Sequence, residues 1–299
     1  MTSGILLVDK PGGLTSHDVV GRVRRALGTR KVGHAGTLDP MATGLLLLGV
    51  DSATRLLTYL VGLDKEYSAT LRLGVATDTD DAEGTVTATA DASGITREAI
   101  DAAIGALRGE LSQIPSTYSA VKVDGRRSYD RARAGEEVVL APRRVTISRF
   151  DVLAERRDGQ TVDLDVVVAC SSGTYIRALA RDLGAALGVG GHLTALRRTS
   201  IGPFRVEDAV GVADDPEASR TAFAAALRPP ATIARELFPV AELDAAQAVD
   251  LAHGKRVSLA VGDSPVVAAI AGDRLVGMVS VSDGSARVLV NFPTDEVLS

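Results

Sequence analysis

The stretch GHAGTLDPMATG, residues 33–44, decides how the chain is read. It holds His34, Asp39 and three glycines, and it has little helical or strand periodicity, so a loop is expected. Taken alone, Asp39-Pro40 is ordinary turn chemistry, because Asp caps turns and Pro fixes the following φ. Glycines also let a backbone come close to a ligand, and a carboxylate in such a loop can act as a nucleophile or a base. Its ordinary pKa of about 3.9 keeps it ionised at neutral pH. Burial would raise that value and an opposing guanidinium would lower it. A buried, reactive Asp39 therefore calls for an arginine from elsewhere in the chain.

One arginine is suitably placed. SSGTYIRALARDLGAALG, 171–188, opens a helix from a Ser/Gly/Thr turn, with Ile176, Leu179, Ala180, Leu183 and Leu187 as its apolar stripe. Arg177 falls in its first turn and, read alone, is a solvent-facing helix arginine. KEYSATLRL, 65–73, alternates as a strand does, with Tyr67, Ala69, Leu71 and Leu73 on one face. Tyr67 thus begins the inward face, where it either stacks on a planar ligand or packs as a core tyrosine.

Around these segments the chain alternates strands and helices without a regular βαβ repeat. ILLV (5–8) and LLLLGV (45–50) read as buried strands. Thr15 and Asp18 have capping-box spacing ahead of the Val19, Val20, Val23, Leu27 face. A helix is expected over Thr96–Arg108. Strands are expected at 144–153 and 161–170, with Arg156–Gly159 as the hairpin turn. The expected fold class is α+β, with a mixed, largely antiparallel sheet flanked by helices. After Gly202-Pro203 the composition turns acidic and alanine-rich, as in a lid helix or linker. Beyond about 240, VVAAIA, LVGMVSV and ARVLVNF read as a small β-rich module with Asp-Arg and Asp-Gly turns.

The 299 residues are 45% hydrophobic and only 3% aromatic, so a core is present and each tyrosine invites attention. A single cysteine, Cys170, excludes an intramolecular disulfide and a multi-cysteine zinc site, and is read as a small core residue. The four histidines are scattered without ligand spacing. No GxxxxGK[ST] loop occurs, which argues against a bound nucleotide. No apolar run is long enough to span a bilayer and no signal peptide is evident, so a cytoplasmic protein away from membranes is expected. The net charge of −5 conceals an uneven distribution. Residues 207–250 carry nine acids against three arginines, which leaves the rest of the chain slightly positive. Basic blocks at 1–35 and 122–133 are compatible with a polyanion groove.

Six segments, in order, resemble the bacterial tRNA pseudouridine-55 synthase (TruB) family. They are DKPGGLTS (9–16), GHAGTLDPMATGLL (33–46), KEY (65–67), TDTDDAEG (77–84), YSAVKVDGRRSYDRARAGE (118–136) and SSGTYIRALARDLG (171–184). The match spans about residues 4–205. One departure, Ile114-Pro115-Ser116-Thr117 where the family often has two prolines, touches a turn rather than a catalytic group. The resemblance implies a pseudouridine synthase fold over 1–229 and a linker with a small PUA-like RNA-binding module over 230–299. It implies a catalytic aspartate at Asp39, a stacking tyrosine at Tyr67 with a secondary candidacy as a base, and a charge partner at Arg177. It also implies uridine-pocket contacts from Tyr175 and Leu196, and an RNA-inserting histidine at His34. The expected substrate is uridine 55 in the T arm of tRNA. No cofactor and no metal are expected, and the protein is expected to act as a monomer.

That chemistry is redox-neutral, which agrees with the missing nucleotide loop and metal ligands. Flipping a stacked base out costs a few kcal/mol, and stacking on one aromatic returns about 1–3 kcal/mol. His34 filling the vacated space and phosphate contacts from the basic blocks would supply the remainder. Two rival classes remain open at this stage. One is a non-catalytic tRNA-binding or tRNA-folding protein using the same groove. The other is a glycosidase-like hydrolase, which needs a second carboxylate opposite the first; the motifs present no such partner.

Overall fold

The computed structural model describes residues 3–118, 122–123, 126–127, 140–213 and 215–292. From the N-terminus run β1 (Gly4–Lys10), α1 (Ser16–Leu27), β2 (Val32–Ala35), β3 (Thr43–Val50), α2 (Leu57–Leu60), β4 (Lys65–Leu73), β5 (Val75–Thr77) and β6 (Val86–Thr89). Next come α3 (Arg97–Ala106), β7 (Gly109–Gln113), the short β8 (Lys122–Val123) and β9 (Arg126–Arg127), β10 (Arg143–Asp158), β11 (Thr161–Cys170) and α4 (Ile176–Ala186). The chain closes with β12 (Gly191–Ile201), β13 (Phe204–Arg205), β14 (Val210–Gly211), α5 (Pro216–Ala226), α6 (Pro230–Leu237), β15 (Val240–Glu242), α7 (Ala245–Ala252), β16 (Val257–Ser258), β17 (Ser264–Ala271), β18 (Arg274–Ser282) and β19 (Ser285–Asn291). Two compact units result. Asp39–Leu45 with Gly62–Arg205 make the sheet unit; Met1–Leu38, Leu46–Val61 and Val206–Ser299 make the terminal unit.

In the sheet unit the strand order is β3-β12-β4-β11-β10-β7, with β13 on β12. Every pairing is antiparallel except the short parallel one that sets Arg197 and Arg198 of β12 against Thr43 and Gly44 of β3. The period-2 pattern of β4 is realised, with Lys65, Tyr67, Ala69, Leu71 and Leu73 all buried. On β11 the same pattern buries Val162, Leu164, Val166, Val168 and Cys170. Helix α4 covers this face through Ile176, Leu179, Ala180 and Leu183, packing on β12 and β4. The β10–β11 ribbon is longer than its sequence suggests, because β10 continues to Asp158 and the chain reverses at Gly159. Arg156 and Arg157 are strand residues whose charges are used laterally. Arg156 pairs with Asp165, and Arg157 donates to the carbonyls of Ser93 and Ile95 at 2.9 and 2.7 Å.

In the terminal unit, the order is β14-β1-β3, with β2 antiparallel to β3. Helix α1 starts at the expected capping box of Thr15 and Asp18 and stops at Gly28 in the left-handed conformation. Its Val19, Val20 and Val23 join Leu6, Val8, Leu46, Leu48 and Phe223 in one cluster. Phe223 belongs to α5, so the acidic stretch after 203 is helical and partly core, as is α6 with fully buried Ile233. The β-rich module is a five-stranded sheet in the order β15-β17-β18-β19-β16. Its core includes Leu251, Val267, Val276 and Val279. The Asp-Gly reversal expected between its last strands has Asp283 and Gly284 both at positive φ, 51° and 69°, as a tight hairpin turn requires. No helix among the described residues is long and apolar enough to cross a membrane.

Candidate active site

The GHAGTLDPMATG stretch is less of a loop than its composition suggests. Its first residues belong to β2 and its last two open β3. His34 lies on β2 opposite Leu48, half-buried, with its ring edge-on to His17 at 5.5 Å between centroids. Leu38 is pinned through both backbone groups by the buried Ser16 hydroxyl, at 2.9 and 3.2 Å. Gly44 has φ +100°, and a Cβ there would sit 2.2 Å from the Arg198 carbonyl oxygen. This glycine is required by strand-to-strand packing inside the protein; the sequence had suggested contact with a ligand.

Asp39 stands in the turn between these strands, its side chain 35% exposed. Arg177 Nε donates to Asp39 Oδ2 at 3.0 Å. The solvent-facing reading of Arg177 is overturned, since the residue is only 3% exposed. Position explains why. The first turn of α4 faces the 77–81 turn, and the guanidinium is satisfied on every side. Nη1 donates to Thr79 O at 2.7 Å and lies 3.3 Å from Asp81 Oδ2, while Nη2 donates to Tyr118 O at 2.7 Å. One helical turn later Arg181 reaches Asp80 at 3.2 Å and Ile114 O at 2.8 Å. The i, i+4 spacing therefore sets both arginines against the TDTDD turn.

Asp81 is a second carboxylate on Arg177 that the sequence reading did not assign. It is buried, and its Oδ1 accepts from Thr79 Oγ1 at 2.5 Å and from Glu83 N at 3.1 Å. A carboxyl so enclosed holds Arg177 and is not presented as a hydrolase acid facing solvent. Asp39 is the open carboxylate of the pair. Asp80, at φ 62°, is pushed above the ordinary carboxylate range, chiefly by burial.

Tyr67 is on β4, opposite Val168 and Arg198. Burial pushes its phenol above the usual value, and the Asp39 charge adds to this, while the hydrogen bond and charge of Arg198 act the other way. The hydroxyl is thus protonated at neutral pH. Lys65, two residues earlier on the same buried face, is pushed down to about 8 by burial and by the Arg198 charge. Burial pushes the Cys170 thiol up to about 11, in keeping with a core residue. Leu196, buried on β12, pairs with Ala69, two residues along from the Arg198–Tyr67 pair. Tyr175 caps the start of α4. Its N–H donates to Gln113 Oε1 at 2.9 Å, and Gln113 Nε2 donates back to its carbonyl at 3.1 Å.

Asp39, Arg177, Tyr67, Tyr175 and Leu196 all fall in the sheet unit, and His34 falls in the terminal unit. Sequence reasoning missed Asp81, Arg198 and Gln113. Asp81 lay inside a quoted motif, TDTDDAEG, without a role. Most of the 118–136 segment and its basic block lies outside the described residues.

Solved structures share this architecture. Over 97% of its length the chain is similar to a chain of a Cbf5-Nop10-Gar1 complex, with TM-score 0.73, 26% identity and 85% of that chain covered. It is also similar over 98% of its length to a chain of an H/ACA RNP bound to a substrate RNA containing 2′-deoxyuridine, with TM-score 0.70, 25% identity and 86% of that chain covered. The fold is that of the pseudouridine synthases, joined to a PUA-like β module. Family models agree along the chain: the N-terminal domain of the TruB family pseudouridylate synthases at residues 24–176, a tRNA pseudouridylate synthase B C-terminal domain at 177–222, and the C-terminal region of tRNA pseudouridine synthase II at 238–293. The tRNA pseudouridine synthase B of Leifsonia xyli subsp. xyli is 57% identical over 303 residues, covering 99% of this chain and 98% of that protein. That of Arthrobacter sp. strain FB24 is 52% identical, covering 99% of both. The chain belongs to the TruB family of pseudouridylate synthases.

Proposed function

We propose that this pseudouridine synthase acts on tRNA and converts uridine 55 of the T arm to pseudouridine, with Asp39 as nucleophile. The observation that carries the reading is the Asp39–Arg177 pair: an accessible carboxylate that accepts from a buried guanidinium, itself locked by Asp81 and two carbonyls. The named activity of the relatives supports tRNA as the substrate. In this reading the target uridine flips out and its uracil stacks on Tyr67, with Tyr175 and Leu196 lining the pocket and His34 occupying the vacated space. Asp39 attacks the flipped nucleotide and bonds to it, the N1–C1′ bond breaks, the uracil turns, a C5–C1′ bond forms, and the bond to Asp39 is cleaved so that the carboxylate is returned. The C5 proton leaves to solvent and N1 gains one, so atoms and charge balance without a redox partner. A protonated, buried Tyr67 suits stacking better than proton abstraction. We assign the chemistry to residues 1–229, and RNA binding by the small module to 230–299.

The test is incubation of the enzyme with unmodified tRNA, followed by chemical labelling of pseudouridine and mapping by primer extension. A single stop at position 55, with no change in RNA mass, is expected. Tight T-arm binding without a stop would favour the non-catalytic tRNA-binding reading, and a stop elsewhere would overturn the position.

A further inference from the structure

Arg198 is among the largest fully buried side chains of the protein, 1% exposed on β12. Three contacts converge on it. Its Nε donates to the carbonyl of Leu45 at 2.7 Å, on the strand that follows the Asp39 turn. Its backbone receives Gly44 of the same strand too closely for any Cβ. Its side chain bears on the phenol of Tyr67, its direct cross-strand neighbour on β4, through charge and hydrogen-bonding capacity. A guanidinium is planar, always charged and rigid in the directions of its donors. Fixing Nε on Leu45 therefore fixes where the remaining nitrogens point. Stability alone is a weak reason for such a group, because taking a charge out of water carries a desolvation cost that its contacts must first offset.

We propose that Arg198 is a positioning residue for the isomerisation, tying the Tyr67 hydroxyl to the strand behind the Asp39 turn and so setting the ring that receives the uracil against the reacting carboxylate. This rests on the reading above in which Tyr67 stacks on the flipped base. In this role Arg198 acts through the phenol. Its removal should leave tRNA affinity, carried mainly by phosphate contacts, nearly unchanged and should slow the bound step.

A double-mutant cycle isolates this role from a merely structural one. Arg198→Met keeps the length of the side chain and removes its donors. Single-turnover conversion of tRNA at saturating enzyme is measured for the wild type, Arg198→Met, Tyr67→Phe and the double variant. Residues in direct contact show coupling that distant ones do not. Arg198→Met is expected to slow the wild type about tenfold and the Tyr67→Phe protein less than about threefold. Equal factors in the two backgrounds, or no effect in either, would overturn the proposal. Should Arg198→Met lack a cooperative melting transition, the same cycle with Arg198→Lys, which keeps a cation without the planar fork, is read by the same criterion. A wild type that converts no uridine at all would instead overturn the function on which the proposal rests.

Discussion

Tyr67 shows what one residue does in this site and how far a motif can define it. Its inward position follows from the alternation of KEYSATLRL, and burial keeps its phenol protonated. If the ring provides the stacking surface, Tyr67→Phe should retain measurable single-turnover conversion, losing about tenfold through the Arg198 contact. Tyr67→Leu should lose a further five- to hundredfold or so, the equivalent of about 1–3 kcal/mol of stacking. Complete and equal loss in both would make the hydroxyl itself indispensable. The motif that carries Tyr67 did not reveal Arg198. That residue stands 131 positions away and meets Tyr67 only through strand register, which no local pattern encodes. Asp81 was hidden differently. All five residues in TDTDD can cap turns, and the buried guanidinium of Arg177 is what sets Asp81 apart from its neighbours.

Among the elements, the strand that begins at Thr43 bears most directly on the site. Gly44 at φ +100° lets β3 lie against the backbone of Arg198, which is how the Asp39 turn is registered on the sheet. Gly44→Ala should cost about 2–4 kcal/mol through backbone strain and overpacking, seen as a lower denaturation midpoint with a matching loss of conversion. Unchanged stability would contradict the packing described. Periodicity predicted β4, β11, α1 and α4 well, because each buries one face. It failed at β10, where Arg156 and Arg157 imitate a turn by polarity while pairing with Asp165 and with the carbonyls of Ser93 and Ile95. It also missed β2, since a four-residue strand of Val, Gly, His and Ala has no clear period.

At the scale of the whole molecule, Asp39, Tyr67 and Arg177 share the sheet unit, while the β-rich module belongs to the terminal unit, where Phe238 sits edge-on to Tyr59 at 5.9 Å. Deleting residues 240–299 should therefore weaken tRNA binding and leave the single-turnover rate at saturating enzyme largely intact. A folded truncation whose chemical step collapses would contradict an accessory role for the module. The composition shift after Pro203 marked this module in the sequence, but not the helices before it, because an alanine-rich acidic stretch resembles a linker until Phe223 is seen in the core. The central claim is that Asp39 is the nucleophile, and Asp39→Asn tests it most directly. The change preserves shape and removes the charge. Arg177 keeps Asp81 and two carbonyls, so the stability loss should fall short of the about 3–5 kcal/mol of an uncompensated buried charge; a melting curve checks this. With tRNA tritiated at uridine C5, the wild type should release tritium to solvent as C5 bonds to ribose, and the folded variant should bind T-arm RNA comparably and release none. Tritium release by the Asp39→Asn protein near the wild-type rate would contradict the account.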